Sequence, residues 1–359
     1  MDLEEGHVQK AMQVLTVAAD GWTAATDLQT IFFRLTIDSA TEFLFGESVE
    51  SQLCALNGVQ SPGDSFAYYF DKSQWVVAQR ARFEKLSFLV DNKETRHSDK
   101  QVHAFVDRVV ADALQKVKNE KPSPSEKSSY VFLDALIATT HDPIELRSQL
   151  LNILLAGRDT TASLLSWSVL MMTRHPETFR KLRETILENF GTFSSPQNIT
   201  FASLKSCQYL QYFMNETLRL YPVVPFNRRI ATRDTTLPRG GGPDGQSPIY
   251  LRKGQVIMYS THVMQRRKDL WGPDADEFKP ERWANRKAGW EYVPFNGGPR
   301  ICIGQQFALT EAGYVIVRLL QRFDNIENVF PDQKIRSDLR ITSSPGDPVT
   351  VRMHEAADA

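Results

Sequence analysis

Three cysteines in 359 residues are too few, and too far apart, to form a disulfide framework. Cys54, Cys207 and Cys302 are also odd in number, which points to a reducing compartment. No run approaches the roughly 20 apolar residues of a membrane-spanning helix. Residues 1–20 are acidic and amphipathic, unlike a secretory leader. A surplus of either charge is missing too. Forty-two Lys and Arg face 43 Asp and Glu, a net of −1, so nothing suggests nucleic acid or an anionic surface as partner. Seven histidines show no zinc-type spacing. No dinucleotide fingerprint appears, because Gly240, Gly241 and Gly242 do not open a helix, so NADPH is not expected to bind. No internal repeat is evident.

What is present is ordinary globular composition, 42% hydrophobic and 24% charged, enough for one large core or two domains. Helical periodicity covers residues 2–18 and, more strongly, 26–46, with Asp27 as a cap and Gly46 as the stop. Residues 64–90 are dense in aromatics (Phe66, Tyr68, Tyr69, Phe70, Trp75, Phe83, Phe88), a stripe that reads first as core. A helix over 99–118 precedes a polar, Pro- and Ser-rich stretch, 119–129, read as an exposed loop inside the domain. Asp142-Pro143 opens the longest helix, to about 174, since Pro suits a first helical turn. Further helices are expected to about 190, over 203–221 and over 304–322. Short strands and turns fill 223–260, with a sharp loop at 239–243. Residues 268–293 are loop-rich, and the tail holds strands near 326–330 and 348–353. The fold class is mainly α with a minor β part.

Four patterns bear on chemistry. Pro294 to Gly304 reads PFNGGPRICIG, placing Cys302 in a Gly-rich loop ahead of a helix. Backbone N–H groups and the helix start favour a thiolate there. Glycines 297, 298 and 304 would let backbone approach a flat, bulky ligand. From the cysteine alone, a buried small hydrophobe is the commoner role. The longest helix contains Ala156-Gly157-Arg158-Asp159-Thr160-Thr161, a weak spot for helix formation where a Thr hydroxyl can take over a backbone bond. Glu216-x-x-Arg219 is, by itself, an ordinary i, i+3 ion pair. Phe278-Lys279-Pro280-Glu281-Arg282-Trp283 follows it.

Taken together these residues resemble a family. Phe295-x-x-Gly298-x-Arg300-x-Cys302-x-Gly304 looks like the haem-binding signature of the cytochrome P-450 monooxygenases. The longer stretch PFNGGPRICIGQQFALTEAGYV resembles the fungal branch that hydroxylates n-alkanes and fatty acids. The resemblance implies haem b with Cys302 as axial iron ligand. It implies haem propionates on Arg300 and on Arg229, with Arg228 as the alternative to the latter. Gly157, Asp159 and Thr160 match the oxygen-activating motif, with Gly157 leaving room for dioxygen and Thr160 and Asp159 relaying protons. Glu216, Arg219 and Arg282 match a structural triad, in which Trp283 replaces the usual Phe conservatively. Val223, Val224, Phe226, Thr342, Ser343 and Ser344 match segments that contact substrate.

The implied activity is hydroxylation of a C–H bond of a long-chain alkane or fatty acid, at or near the chain terminus. The implied partners are O2, a small hydrophobic substrate and a separate NADPH–cytochrome P-450 reductase docking beside the Cys302 loop. For full-length relatives the resemblance implies the cytosolic face of the endoplasmic reticulum membrane. Residues 1–359 then form a single, incomplete family domain, because the resemblance starts after the anchor, the first sheet strands and the early helices. The contrasting expectation is a truncated, non-catalytic fragment with weak or no haem binding.

Overall fold

The structure is a computed structural model that describes residues 1–58, 62–119 and 130–357. Residues 120–129 of the expected 119–129 loop lie outside the described residues, and Asn119 ends a helix. In chain order the elements begin with α1 (Asp2–Val14), β1 (Thr26–Asp27), α2 (Leu28–Phe45) and α3 (Ser51–Asn57). Next come α4 (Pro62–Phe83), a 3-10 segment (Glu84–Val90), α5 (Lys93–Asn119) and α6 (Phe132–Ile137). The long α7 (Pro143–Arg174) is followed by α8 (Pro176–Phe190), α9 (Phe201–Ser206) and α10 (Gln208–Leu220). Strands β2 (Phe226–Ile230), β3 (Thr235–Gly241), β4 (Ser247–Leu251) and β5 (Val256–Ser260) precede the short α11 (Thr261–Met264) and α12 (Lys268–Trp271). The chain closes with α13 (Gln305–Arg322), β6 (Phe323–Asn328), β7 (Ser337–Leu339), β8 (Ser343–Pro345) and β9 (Thr350–Glu355). The mainly α class with a minor β part is what the structure shows.

Helix ends follow local chemistry. Asp27 caps α2 by accepting from Gln29 N at 3.1 Å, and Gly46 ends it at φ +78°, a left-handed turn that suits glycine. Asp142 caps α7 in the same way, with Pro143 in the first turn. The helix expected over 203–221 is instead two helices. A Thr200/Ser203 capping box starts α9, and Cys207 at φ −69°, ψ 92° breaks the path before α10. The glycine run at 240–242 is not all loop: Gly240 and Gly241 end β3, and the chain turns over 242–246 to reach β4. Strands β1, β9 and β6 make one antiparallel sheet in that order, while β2–β5, β3–β4 and β7–β8 are separate hairpin-like pairs.

Two apolar clusters form the interior, and α7 runs through both. Leu146, Leu150 and Leu154, spaced i, i+4, i+8, face a cluster built with α2, α4, α5 and α6. From Ala162 to Met172 the same helix is buried among α1, α2, α8, α10 and α13, around Trp167 and Phe213. The AGRDTT stretch falls at the seam between them. The aromatic stripe of 64–90 divides. Phe66 and Phe70 are core, whereas Tyr68, Trp75, Phe83 and Phe88 are exposed, so it is only half a core face.

Asp27 also accepts from Val349 N (2.9 Å) and from the Thr30 hydroxyl (2.6 Å), joining the start of α2 to the tail. Asp27→Ala is expected to cost about 1–2 kcal/mol, read as a lower urea midpoint at unchanged slope. An unaltered midpoint would show that the cap is not stabilising.

Candidate active site

The carboxylate of Glu216 is fully buried on α10 and accepts hydrogen bonds from four residues. Arg219 meets it side-on, with Nε to Oε2 and Nη2 to Oε1 both 2.8 Å. Arg282 Nε donates to Oε1 at 3.0 Å, and the Lys279 backbone N–H donates to it at 2.8 Å. The remaining Arg219 donors go to the carbonyls of Gln265 (2.9 Å), Ala275 (2.6 Å) and Glu277 (3.0 Å). The three residues singled out in the sequence are therefore brought together. Trp283 is not a conservative stand-in for Phe here: its indole N–H donates to Glu216 Oε2 at 3.0 Å, a bond that phenylalanine cannot make.

This hub reaches the cysteine loop in short steps. Gln265, whose carbonyl is held by Arg219, accepts from Val293 N through its side chain at 3.1 Å. Two residues on, the Phe295 carbonyl accepts from Cys302 N at 2.9 Å. The loop needs left-handed backbone at Asn296 (φ +62°) and Gly298 (φ +68°), and the Asn296 side chain is fixed by the Tyr259 hydroxyl at 2.7 Å. Gly297 makes room for a neighbouring ring. A Cβ there would lie 2.5 Å from the Trp290 ring, so its bareness admits Trp290. At Gly304, which precedes α13, an added Cβ would meet only Cys302 Sγ at 4.0 Å. Cys302 itself is exposed and free, not the buried small hydrophobe of the general case, with Ile301, Ile303 and Phe307 exposed beside it in sequence.

The arginines nearby divide by partner. Arg228 pairs with Glu84 at 3.3 Å. Arg229 touches only neutral oxygens, Asn227 Oδ1 (3.3 Å) and the Arg228 carbonyl (2.9 Å), and lies over the Tyr259 ring. Arg300 has no hydrogen-bond or ion-pair partner among the described residues. Two exposed guanidiniums without carboxylate partners and one free thiol make a donor set that suits a dianionic, thiolate-ligated group.

On α7 the AGRDTT stretch has one open side and one buried side. Ala156 is exposed and Gly157 and Thr160 are half-buried, and nothing lies within 4 Å of a Cβ added at Gly157. The Thr160 hydroxyl donates to the Ala156 carbonyl at 2.7 Å, while α7 runs on without a break, so the expected weak spot is not a distortion. Arg158 and Asp159 are buried on the other side. Arg158 bridges Asp71 of α4 and Asp159 (3.2 Å), and Gln74 Nε2 reaches Asp159 at 3.5 Å. Burial pushes the Asp159 carboxyl above its ordinary range, and Arg158 pulls it back. Thr160 and Asp159 make no direct bond. The Arg158–Asp71 pair was not foreseen, although Arg158 stands inside the motif.

A cavity of about 660 Å³ opens against Arg158 and Asp159, walled also by Arg34, Tyr68, Thr342 and Ser344. Thr342 is thus at a cavity, whereas Ser343 is buried in structure. Its N–H donates to the Val223 carbonyl (2.8 Å) and its carbonyl accepts from Trp167 Nε1 (3.2 Å). Val223 is buried, Val224 half-buried and Phe226 exposed. Cys302 and Thr160 do not line this cavity.

The structure is thus a mainly α domain with one exposed thiol linked through its loop to a buried ion-pair hub. Residues 3–345 match the family model for cytochrome P450, and the chain belongs to the cytochrome P450 family. It is 54% identical to cytochrome P450 monooxygenase g430 of Fusarium sp, over 98% of this chain and 63% of that protein. It is 46% identical to cytochrome P450 monooxygenase alt2 of Alternaria solani, over 97% of this chain and 68% of that protein. With cytochrome P450 52A6 of Candida tropicalis it shares 49% identity, over 91% of this chain and 64% of that protein. The chain thus spans about two thirds of the length of these relatives. The family's cofactor is haem b on a cysteine thiolate. Among the described residues no helix is long and apolar enough to cross a membrane.

Trp283→Phe removes one of the four donor groups on Glu216 while keeping an aromatic ring. A loss of about 1–3 kcal/mol is expected, seen as a lower melting temperature. A melting curve identical to the parent's would show the indole bond to be dispensable.

Proposed function

We propose that this chain carries the haem-thiolate centre of a monooxygenase that hydroxylates a C–H bond of a long-chain alkane or fatty acid, at or near its terminus. The observation that carries the reading is the free, exposed Cys302 thiol, braced on the Glu216 hub, with Arg229 and Arg300 unpaired. Haem, when bound, supplies the reductive activation of dioxygen that a polypeptide alone cannot perform.

The roles of the side chains follow from their settings. Cys302 would supply the thiolate that holds the haem iron. Arg229, not Arg228, and Arg300 take the propionates, because a guanidinium already paired with Glu84 is less free to do so. Phe295, Gly298 and Gly304 shape the loop. Thr160 supplies a hydroxyl at the open face of α7, and Gly157 keeps that face clear. Asp159, held back from ready ionisation by burial, would pass protons from the cavity side. Thr342 with Val223, Val224 and Phe226 borders substrate. Resemblance to the fungal alkane- and fatty-acid-hydroxylating branch supports the substrate class. Electrons come from a separate NADPH-dependent reductase, and the endoplasmic reticulum surface is the setting this implies.

The test is the spectrum of the chain reconstituted with haem, reduced and exposed to carbon monoxide. A Soret band at the thiolate position is expected, and Cys302→Ala should abolish it. Arg229→Gln and Arg300→Gln should each weaken haem retention roughly 10-fold or more, the loss of a charge-assisted bond. Thr160→Ala should keep the band but divert oxygen to peroxide when reductase is supplied. No thiolate band in the parent chain would sink the reading.

A further inference from the structure

Three buried carboxyl groups have no cation within salt-bridge distance among the described residues; Asp38 is matched by two backbone amides, the other two are not. Glu4 of α1 and Glu311 of α13 are both buried, and neither has a Lys, Arg or His within salt-bridge distance among the described residues. Glu311 Oε1 accepts from the Ser39 hydroxyl of α2 at 2.7 Å. Thr161 of α7 presents its hydroxyl to the same carboxyl without completing a bond of good geometry. Glu4 Oε2 is buried with no hydrogen-bond partner among the described residues. Four helices, α1, α2, α7 and α13, therefore meet at one pair of acids.

The charged groups around the pair are already engaged. On α1, His7 Nε2 lies 2.8 Å from Glu42, Lys10 pairs with Glu50, and Glu5 pairs with Arg318 of α13. On α2, Asp38 accepts from the amides of Ser51 (2.7 Å) and Gln52 (3.0 Å). Glu42 and the Met1 amino group also act on Glu4, with opposite signs. From α7 only the uncharged Thr161 faces Glu311. An ionised carboxylate left in such a place is strongly disfavoured, and two adjacent ones more so.

We propose that Glu4 and Glu311 stay protonated between them at neutral pH, and that this neutral acid pair is a positioning clamp that seats α13 against α7. Glu311 lies nine residues beyond Cys302 on the helix that follows the thiol loop, and Thr161 adjoins Thr160. The clamp thus sets one helix of the candidate site against the other. That link to the site rests on the haem-thiolate reading, but the clamp itself does not.

The sign is fixed by linkage. Burial raises Glu311 to about 7 and raises Glu4 as well, so the folded chain binds more protons than the unfolded one above about pH 4.5. The contribution of Glu311 is therefore full at acid pH and lost as pH rises through about 7. His7, whose pKa burial lowers, works in the opposite direction, so the difference between variants is the decisive quantity.

The experiment measures unfolding of the haem-free chain between about pH 5 and 8.5, for the parent, Glu311→Gln and Glu4→Gln. Relative to Glu311→Gln, the parent should lose on the order of 100-fold in its folding equilibrium constant across that range. Glu4→Gln should flatten the curve in the same direction. Glu311→Ala should be less stable than Glu311→Gln at every pH, because the amide still fills the site and accepts from Ser39. Infrared titration of the parent, which needs no variant to fold, should show a protonated carboxyl band persisting near pH 6. Identical pH dependence of parent and Glu311→Gln, or no such band, would overturn the clamp. The carbon monoxide spectrum is a separate measurement, so its failure would leave a confirmed clamp standing.

Discussion

Much of the site's geometry hangs on a carboxylate that never meets water. Glu216 is fully buried, and Arg219, Arg282, Trp283 and the Lys279 amide complete its bonding. A buried ion pair is no large source of net stability, because desolvation offsets the attraction. Its value lies in direction. Arg219 also gathers the carbonyls of Gln265, Ala275 and Glu277, so an otherwise irregular segment of chain can occupy only one path. Gln265 then holds Val293, and the loop that ends in Cys302 departs from a fixed point. Tyr292 packs edge to face on both Trp271 and Trp283, and these buried rings keep water from competing with the network.

Helix α7 meets a different constraint. It must pass between two apolar clusters and still offer an open face at its middle. The Gly, Asp and Thr residues placed there weaken local helix propensity. Packing on both sides overrides that weakness, and the helix stays continuous. What the weak spot leaves is space at Gly157, not a kink. Arg158 and Asp159 would be costly on a buried face were they not bonded to Asp71, Gln74 and each other. That bonding ties α7 to α4, the helix whose other residues are split between core and solvent.

How much of this could be read from the chain alone depended on sequence separation. Caps at Asp27, Asp142 and Gly46 were legible, since a cap is decided within a few residues. The Glu216, Arg219 and Arg282 grouping was legible only through family resemblance; spacing alone gave an ordinary surface pair. The bond from Trp283 was not legible, because a Trp in place of Phe looks like a change of size until a carboxylate is found at its N–H. That Gly297 makes room for Trp290, a neighbour seven residues away, was not legible. The split at Cys207 was missed because the apolar periodicity continues across it. The choice between Arg228 and Arg229 needed Glu84, which lies far back in the chain.

Glu216 and Glu311 show two answers to one physical problem. Each is a glutamate with almost no exposure, one on α10 and the other on α13, the helix that follows the cysteine loop. Glu216 is surrounded by two guanidiniums, an indole N–H and an amide, so its charge is matched by donors. Glu311 has one hydroxyl donor, a second hydroxyl short of good geometry and another acid for a neighbour. A charge that is matched orients its partners over many ångströms, which suits a loop that must be placed accurately. A carboxyl kept neutral costs less to bury and can both donate and accept, which suits a crowded contact between helices. The first holds its geometry for as long as its partners remain. The second holds it only while the proton stays, so the contact between α13 and α7 answers to pH, in the opposite direction to His7.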